Sequence, residues 1–403
     1  MKSYFYVAGL AVALMSSCSN ESDVNLPVGD TEKDLVPVSL GLNMSSANVE
    51  ESRGTGTVGS TKDEENVWRY ENLYVLMTTS DKEALEDKNA EWGFTSVCGT
   101  VLKEQFDNTF YSRPEEIDRN GTKVWVINYK CDPNEGGNVK YYPAQGKSDF
   151  FAYYVDDAAK ADAKGNPEYK IENNQMYVPF EITGSQDLLT GKADVAQTDP
   201  EGGFSAKTAR ANIIPQLKME HMLTRLTFTL KNGNAHTANV KVKSISVESK
   251  YQGNLYVAYK TAPAEVITFT DKYAKLYLKQ EDPNNNTSSL TTGKSPLVDF
   301  APITMNGVDD VDAGEALLVC PGETVYKMYV EMEHAINVNG EDKVEPVTLP
   351  LDLKLADGKA FEKGKSYHVK ATIYGLEEIK IEAQLEKWTD GGEINVGSDN
   401  LGY

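Results

Sequence analysis

The chain has 403 residues, 61 of them acidic and 40 basic, for a formal net charge of -21 and a pI of about 4.7. Charge this negative repels phosphate backbones and argues against nucleic acid as a partner. Apolar residues make up 40% of the chain and there are 22 tyrosines, which is enough for packed cores and argues against a disordered chain.

The N-terminus reads as an export signal. Lys2 supplies a thin positive region, and an apolar run over 4–15 is too short to cross a bilayer as a helix. The run ends in Met15-Ser16-Ser17-Cys18, small residues placed before a thiol. This resembles a bacterial lipobox and predicts a diacylglyceryl anchor on Cys18, with Met15 standing where Leu is usual. The alternative is an ordinary cleaved signal with a chance cysteine. Residues 19–34 form a polar, acidic tether, similar to the signal that sends lipoproteins of Bacteroides-type bacteria to the cell surface.

Beyond the tether the dominant period is two, the signature of strands with one buried face. Val36, Val38, Leu40, Leu42 and Met44 alternate with Pro37, Ser39, Gly41 and Asn43. Pro37 places this strand at a sheet edge or at the strand's own start, where a missing N–H is harmless. Leu226, Phe228 and Leu230 form a second alternating run. Val240, Val242, Ile245 and Val247 continue it with one slip, read as a bulge. Further alternating runs are Leu349, Leu351, Leu353, Leu355 and Ile379, Ile381, Ala383, Leu385. Short helices are expected only at 82–92 and 156–164. A polar, Gly-rich stretch at 198–208 is the expected domain boundary. Many short, turn-bounded strands predict an all-β chain of antiparallel sandwiches.

Chemistry-bearing motifs are weak. Gly54-Thr55-Gly56-Thr57-Val58-Gly59 matches GxGxxG, but it follows an acidic loop and not a buried strand. His221, His236, His334 and His368 are scattered, with no HExxH and no metal-ligand spacing. Asp309, Asp310 and Asp312 near Gly314 lack EF-hand spacing and read as an acidic turn. Cys98, Cys131 and Cys320 cannot all pair within one chain; free or buried thiols are expected, with one disulfide left open. No enzyme, cofactor or metal is expected.

Taken in order, several segments carry a resemblance. The lipobox and first strand are followed by a polar loop with a single arginine, Arg53. Then come 141–144 (YYPA), Ser148–Tyr154 (SDFFAYY), 187–191 (DLLTG), 220–228 (EHMLTRLTF), 317–321 (LLVCP), 361–367 (FEKGKSY), 388–392 (WTDGG) and 394–396 (INV). In this order they resemble the fimbrillin family, the type V pilins and related surface lipoproteins, over nearly the whole chain. Cys320 departs from the small or aliphatic residue usual before the proline.

The resemblance implies two transthyretin-like antiparallel Greek-key β-sandwich domains in tandem. On this reading 1–18 is the signal ending at the lipidated Cys18, and 35–205 and 206–387 are the two sandwiches. Within the first, 35–53 is a removable first strand with its cleavage loop. Residues 388–403 are a tail holding a donor strand, with Ile394, Val396, Leu401 and Tyr403 as anchors; the alternative is a tail that pairs with its own domain. The resemblance further implies an outer-membrane lipid anchor before processing and an arginine-specific surface protease that cuts between Arg53 and Gly54. Strand exchange with other fimbrial subunits follows the cut, and a host or bacterial surface ligand is a further partner class. Read from spacing alone, Arg53 is a solvated loop arginine; the cleavage reading comes from the family pattern. The expected role is a shaft subunit. The alternatives are a tip or accessory adhesin, or a non-polymerising glycan-binding surface lipoprotein with an aromatic platform near Tyr141 and Tyr153.

Overall fold

The computed structural model describes residues 36, 38, 40–44, 73–79, 95–96, 111–119, 122–130, 142, 146–162, 167–195, 202–233, 240–284, 296–305, 309–338, 341–374 and 379–386. In chain order the strands begin with β1 (Gly41–Met44), β2 (Tyr74–Thr79), β3 (Thr95–Ser96) and the hairpin β4 (Tyr111–Arg119) with β5 (Thr122–Lys130). There follow β6 (Ser148–Tyr154), β7 (Lys170–Glu172), β8 (Gln175–Glu181) and β9 (Leu189–Ala193). A short helix, α1 (Ala206–Arg210), precedes β10 (Gln216–His221), β11 (Thr224–Asn232), β12 (Val240–Lys250), β13 (Gln252–Tyr259) and β14 (Ile267–Phe269). Then come β15 (Tyr273–Tyr277), β16 (Lys279–Glu281), β17 (Leu297–Asp299), β18 (Ile303–Thr304), β19 (Val311–Asp312) and β20 (Leu317–Val319). The chain closes with β21 (Tyr326–Val338), β22 (Glu341–Leu353), β23 (Ser366–Ile373) and β24 (Ile379–Glu386). The all-β reading is borne out.

The first layer is a six-stranded sheet, β1-β10-β9-β6-β2-β3. A four-stranded sheet, β14-β13-β8-β7, packs against it through Leu76, Phe151 and Tyr153 on one side and Met176, Val178, Phe180, Leu255 and Val257 on the other. A second pair of sheets follows, β19-β11-β23-β24 and β15-β12-β21-β22. Leu226, Phe228, Leu230, Val369 and Ala371 face Val242, Ile245, Val247, Met328 and Val330 in the same continuous core. The strands β10, β13 and β14 lie C-terminal to the expected boundary at 205/206, and they complete the first pair of sheets. Among the described strands, the pairings β1/β10 and β11/β23 are parallel and the others antiparallel.

Two local expectations need comment. The slip in β12 is a bulge, a register shift between Val242 and Ser244 against β21. The helix expected over 156–164 is absent from its described part. Asp156 adopts φ 49°, which no right-handed helix tolerates, and Ala159 and Ala161 form bridges to Phe180 and Pro167. The helix that does form, α1, starts at Ser205, whose hydroxyl and backbone N–H exchange hydrogen bonds with Thr208 in a capping box. It overlaps the stretch 198–208 read as the domain boundary. Phe204 beside it is buried and exchanges both backbone hydrogen bonds with Ser148 at 2.7 Å. The helix expected at 82–92 lies outside the described residues.

Candidate functional site: the seat of the first strand

The strand β10 has the sequence QLKMEH, in which Leu217, Met219 and His221 turn inward while Lys218 and Glu220 face water. On one side it pairs with β9; on the other it receives β1, in the register Gly41↔Gln216, Leu42↔Leu217, Asn43↔Lys218 and Met44↔Met219. The first strand is thus the edge of the sheet among the described strands, one of the two placements that Pro37 allows.

Just before β1, Val36, Val38 and Leu40 are 4%, 2% and 1% exposed. They join Leu73 just before β2, Val75 and Met77 of β2, Phe150, Ala152 and Tyr154 of β6, and Leu217 and Met219 of β10 in a second core. The alternate residues of β2 and β6, Leu76, Phe151 and Tyr153, go to the first core instead. The six-stranded sheet is therefore covered on both faces, which is why SDFFAYY reads as a continuous apolar run. The end of the first-strand segment is held by Tyr142, whose N–H donates to Val36 O at 2.9 Å. The ring of Tyr142 meets Phe150 edge-on at 6.0 Å, and Phe150 in turn lies 5.9 Å from Phe204. Fully burying a valine or leucine side chain is worth about 1.5–3 kcal/mol. Removing the segment would give up three such burials and leave β10 with an unpaired backbone edge beside an apolar floor.

Other quoted segments converge on the far end of β10. Asp187, just before β9, meets His221 Nδ1 at 2.9–3.0 Å, with both side chains buried. Gly191 of β9 lies opposite Met219, and a Cβ there would sit 2.2 Å from Lys218 O. The N–H of Met222 donates to Leu188 O, and that of Gly364 donates to Leu223 O. Thr224 Oγ1 donates to Glu362 O and Arg225 to Ser366 Oγ at 3.1 Å. The strand β20 pairs with β11 from Thr224 to Leu226. The segments 187–191, 220–228, 317–321 and 361–367 form one junction that fixes β10, and with it the seat of the first strand. Sequence reasoning quoted these segments but missed β10 as the partner; the alternation Leu217, Met219, His221 was the available signal.

The remaining site residues are placed as follows. Leu42 and Met44 are placed by their backbone register. Cys18, Arg53, Gly54, Ile394, Val396, Leu401 and Tyr403 lie outside the described residues, as do Gly56, Gly59, Cys98, Cys131 and His236. Tyr153, offered as part of an aromatic platform, is fully buried against Tyr74 at 4.9 Å and belongs to the core; Tyr141 lies outside the described residues. In the acidic turn, Asp310 pairs with Lys370 and Asp312 accepts from Thr229 Oγ1 at 2.8 Å.

A family profile described as Fimbrillin-like matches residues 61–388. Comparison with curated proteins finds no match. Among solved structures, a proposed cell adhesion protein of Bacteroides uniformis aligns at 14% identity and TM-score 0.42, covering 89% of this chain and all of that one. The fimbrial anchor protein Mfa2 from Porphyromonas gingivalis aligns at 10% identity and TM-score 0.32, covering 87% of this chain and 98% of that one. The tip fimbrial protein Mfa3 from the same organism, with a C-terminal truncation, aligns at 10% identity and TM-score 0.31, covering 87% and 99%. The family match carries the assignment; the structural likenesses add no argument of their own.

Proposed function

The chain belongs to the fimbrillin-like family, a fimbrial or adhesin-like surface protein, and from that premise we propose that it is a structural shaft subunit polymerised by donor-strand exchange. The precursor is exported, lipidated on Cys18 and held at the outer membrane. It is organised as two tandem Greek-key sandwiches. An arginine-specific protease then cuts between Arg53 and Gly54. The cut separates both the anchor and the first strand from the rest of the chain, and a strand from residues 388–403 of another subunit takes the vacated seat.

One observation supports this reading above the others. The first-strand segment ends in the edge strand β1, and just before it Val36, Val38 and Leu40 help fill the second core. An edge strand can leave without breaking a sheet in two. A strand that fills a core leaves an apolar groove and a bare ladder that demand a replacement. Tip or accessory roles need the same groove and differ only in the donor.

The test is direct. Purified lipid-free precursor is treated with an arginine-specific protease, the new N-terminus is sequenced, and the product is run on a gel without boiling. A Gly54 terminus with an SDS-resistant ladder is expected, and deletion of 388–403 abolishes the ladder while leaving the subunit folded. Resistance at Arg53, or a cut product that stays monomeric at high concentration, overturns the shaft reading.

A further inference from the structure

The sheet β15-β12-β21-β22 splits at one edge. The strand β15 runs beside β12 only from Ser246↔Tyr277 to Lys250↔Tyr273. Leu278 N donates a last hydrogen bond to Ile245 O at 2.9 Å. The chain then leaves β12, and β16 pairs with β17 instead. Beyond the split β18 takes over the same edge at Lys241 and Val242. The β12 bulge falls between these two partners. A cleft of about 660 Å³ opens there, a size typical of small-ligand sites. Lys243 and Ser244, successive residues that a regular strand would send to opposite faces, both line it, as the bulge allows.

The lining has a definite chemistry. Tyr251 is half-buried and Tyr277 is 45% exposed, and both line the cleft. Lys243 is already paired with Glu333 at 3.4 Å. Lys275, whose ammonium lies 3.7 Å from the Tyr329 ring centroid, also lines the cleft. Lys279, Asp299 and Glu331 line it too, and none of these three has an ion-pair partner among the described residues. Lys279 and Asp299 are register partners yet do not bridge. The cleft therefore offers aromatic faces, ammonium donors and two carboxylate acceptors.

We propose that this cleft binds a neutral oligosaccharide. A sugar ring presents an apolar face to an aromatic and hydroxyls that both donate and accept. An acidic chain would satisfy Lys275 and Lys279 but leave Asp299 and Glu331 facing like charge. An apolar ligand would bury these charges without partners, at the cost of their desolvation. The site lies apart from the first-strand seat, so binding does not depend on strand exchange and is measured on uncut precursor.

The probes are a set of defined neutral hexose and N-acetylhexosamine oligosaccharides and a size-matched set carrying sialic or hexuronic acids. Binding to at least one neutral member is expected. It weakens at least tenfold in Tyr277→Ala, by less than threefold in Tyr277→Phe, and not at all in Tyr273→Ala, an exposed tyrosine outside the cleft. Asp299→Asn weakens the same binding. Unchanged thermal unfolding of the Tyr277 variants separates lost binding from lost fold, since the side chain is exposed. No binding at millimolar sugar, preference for the acidic set, or full affinity in Tyr277→Ala overturns the proposal.

Discussion

Gly191 of β9 lies directly against the backbone of β10. Any Cβ would press on the backbone carbonyl of Lys218, which cannot swing aside as a side chain could. Gly191→Ala is expected to lower unfolding free energy by more than about 2 kcal/mol in a denaturant titration. Leu40, 1% exposed, makes a different prediction. Leu40→Ala should cost the precursor about 2–5 kcal/mol. If 1–53 is discarded on processing, the same substitution leaves the processed subunit unchanged, so comparing the two forms tests the removal itself. Cys320 is buried, and burial pushes its thiol up to about 12, so at pH 8 only roughly 10⁻⁴ of it is thiolate. Peptide mapping should find it unalkylated in the native protein and alkylated once unfolded. Burial likewise holds the phenols of Tyr153 and Tyr326 well above the usual tyrosine range. The fold favours the neutral form of all three groups. Their contribution to stability is thus full below the unfolded-chain values, about 8.5 for the thiol and about 10 for the phenols, and is lost as pH rises through and beyond them. Tyrosinate absorbance from this buried class should appear with alkaline unfolding and not before it.

At the scale of the element, an edge strand is either used or guarded. The strand β22 is the last of its sheet among the described strands and runs for thirteen residues. It carries Pro346 opposite Glu333 and Pro350 opposite Tyr329. Four residues apart, the two prolines share one hydrogen-bonding phase. Having no N–H, they fit where that position faces away from β21, so the outer edge of β22 lacks two donors that a foreign strand would need. Replacing both with Thr should raise concentration-dependent self-association by light scattering without disturbing the β21/β22 hairpin. By contrast, β10 owes its cover to a short parallel strand from the other end of the chain. Alternation made the buried side chains Val36, Val38 and Leu40 legible, although the paired strand itself begins only at Gly41. The helix at 156–164 was misread because a compositional preference for helix yielded to a turn with positive φ at Asp156, set by the bridges to Phe180 and Pro167.

For the whole molecule, charge opposes assembly. Subunits drawn from a chain of net charge -21 repel one another until they touch. At about 0.5 M salt the Debye length falls well below the roughly 10 Å of 0.1 M. Cut subunits should therefore form the SDS-resistant ladder faster at higher ionic strength, with the final ladder unchanged, in a time course read by gel. Uncut precursor should stay monomeric across the same range, because its groove is filled by its own first strand.

Period-two alternation settled the all-β class and the inward face of the central runs, because burial of a strand face is written in the local order of apolar and polar side chains; the last run departs from it, with Ile379, Ile381 and Ala383 half-buried and Leu385 63% exposed. The segments that resemble the fimbrillin family were legible as a set, and four of them, 187–191, 220–228, 317–321 and 361–367, turn out to be the pieces of one junction around β10. Strand partnership was decided only by the tertiary structure. That β1 seats on β10, parallel and some 175 residues away, and that β13 returns to complete the first sandwich, follow from backbone ladders that are much alike for every strand. Such ladders carry little sequence, so the choice among them falls to side-chain fit across the cores. The same holds for the cleft beside Tyr277. Its residues come from β12, β15, β16, β17 and β21, and nothing local marks them until the sheet edge divides.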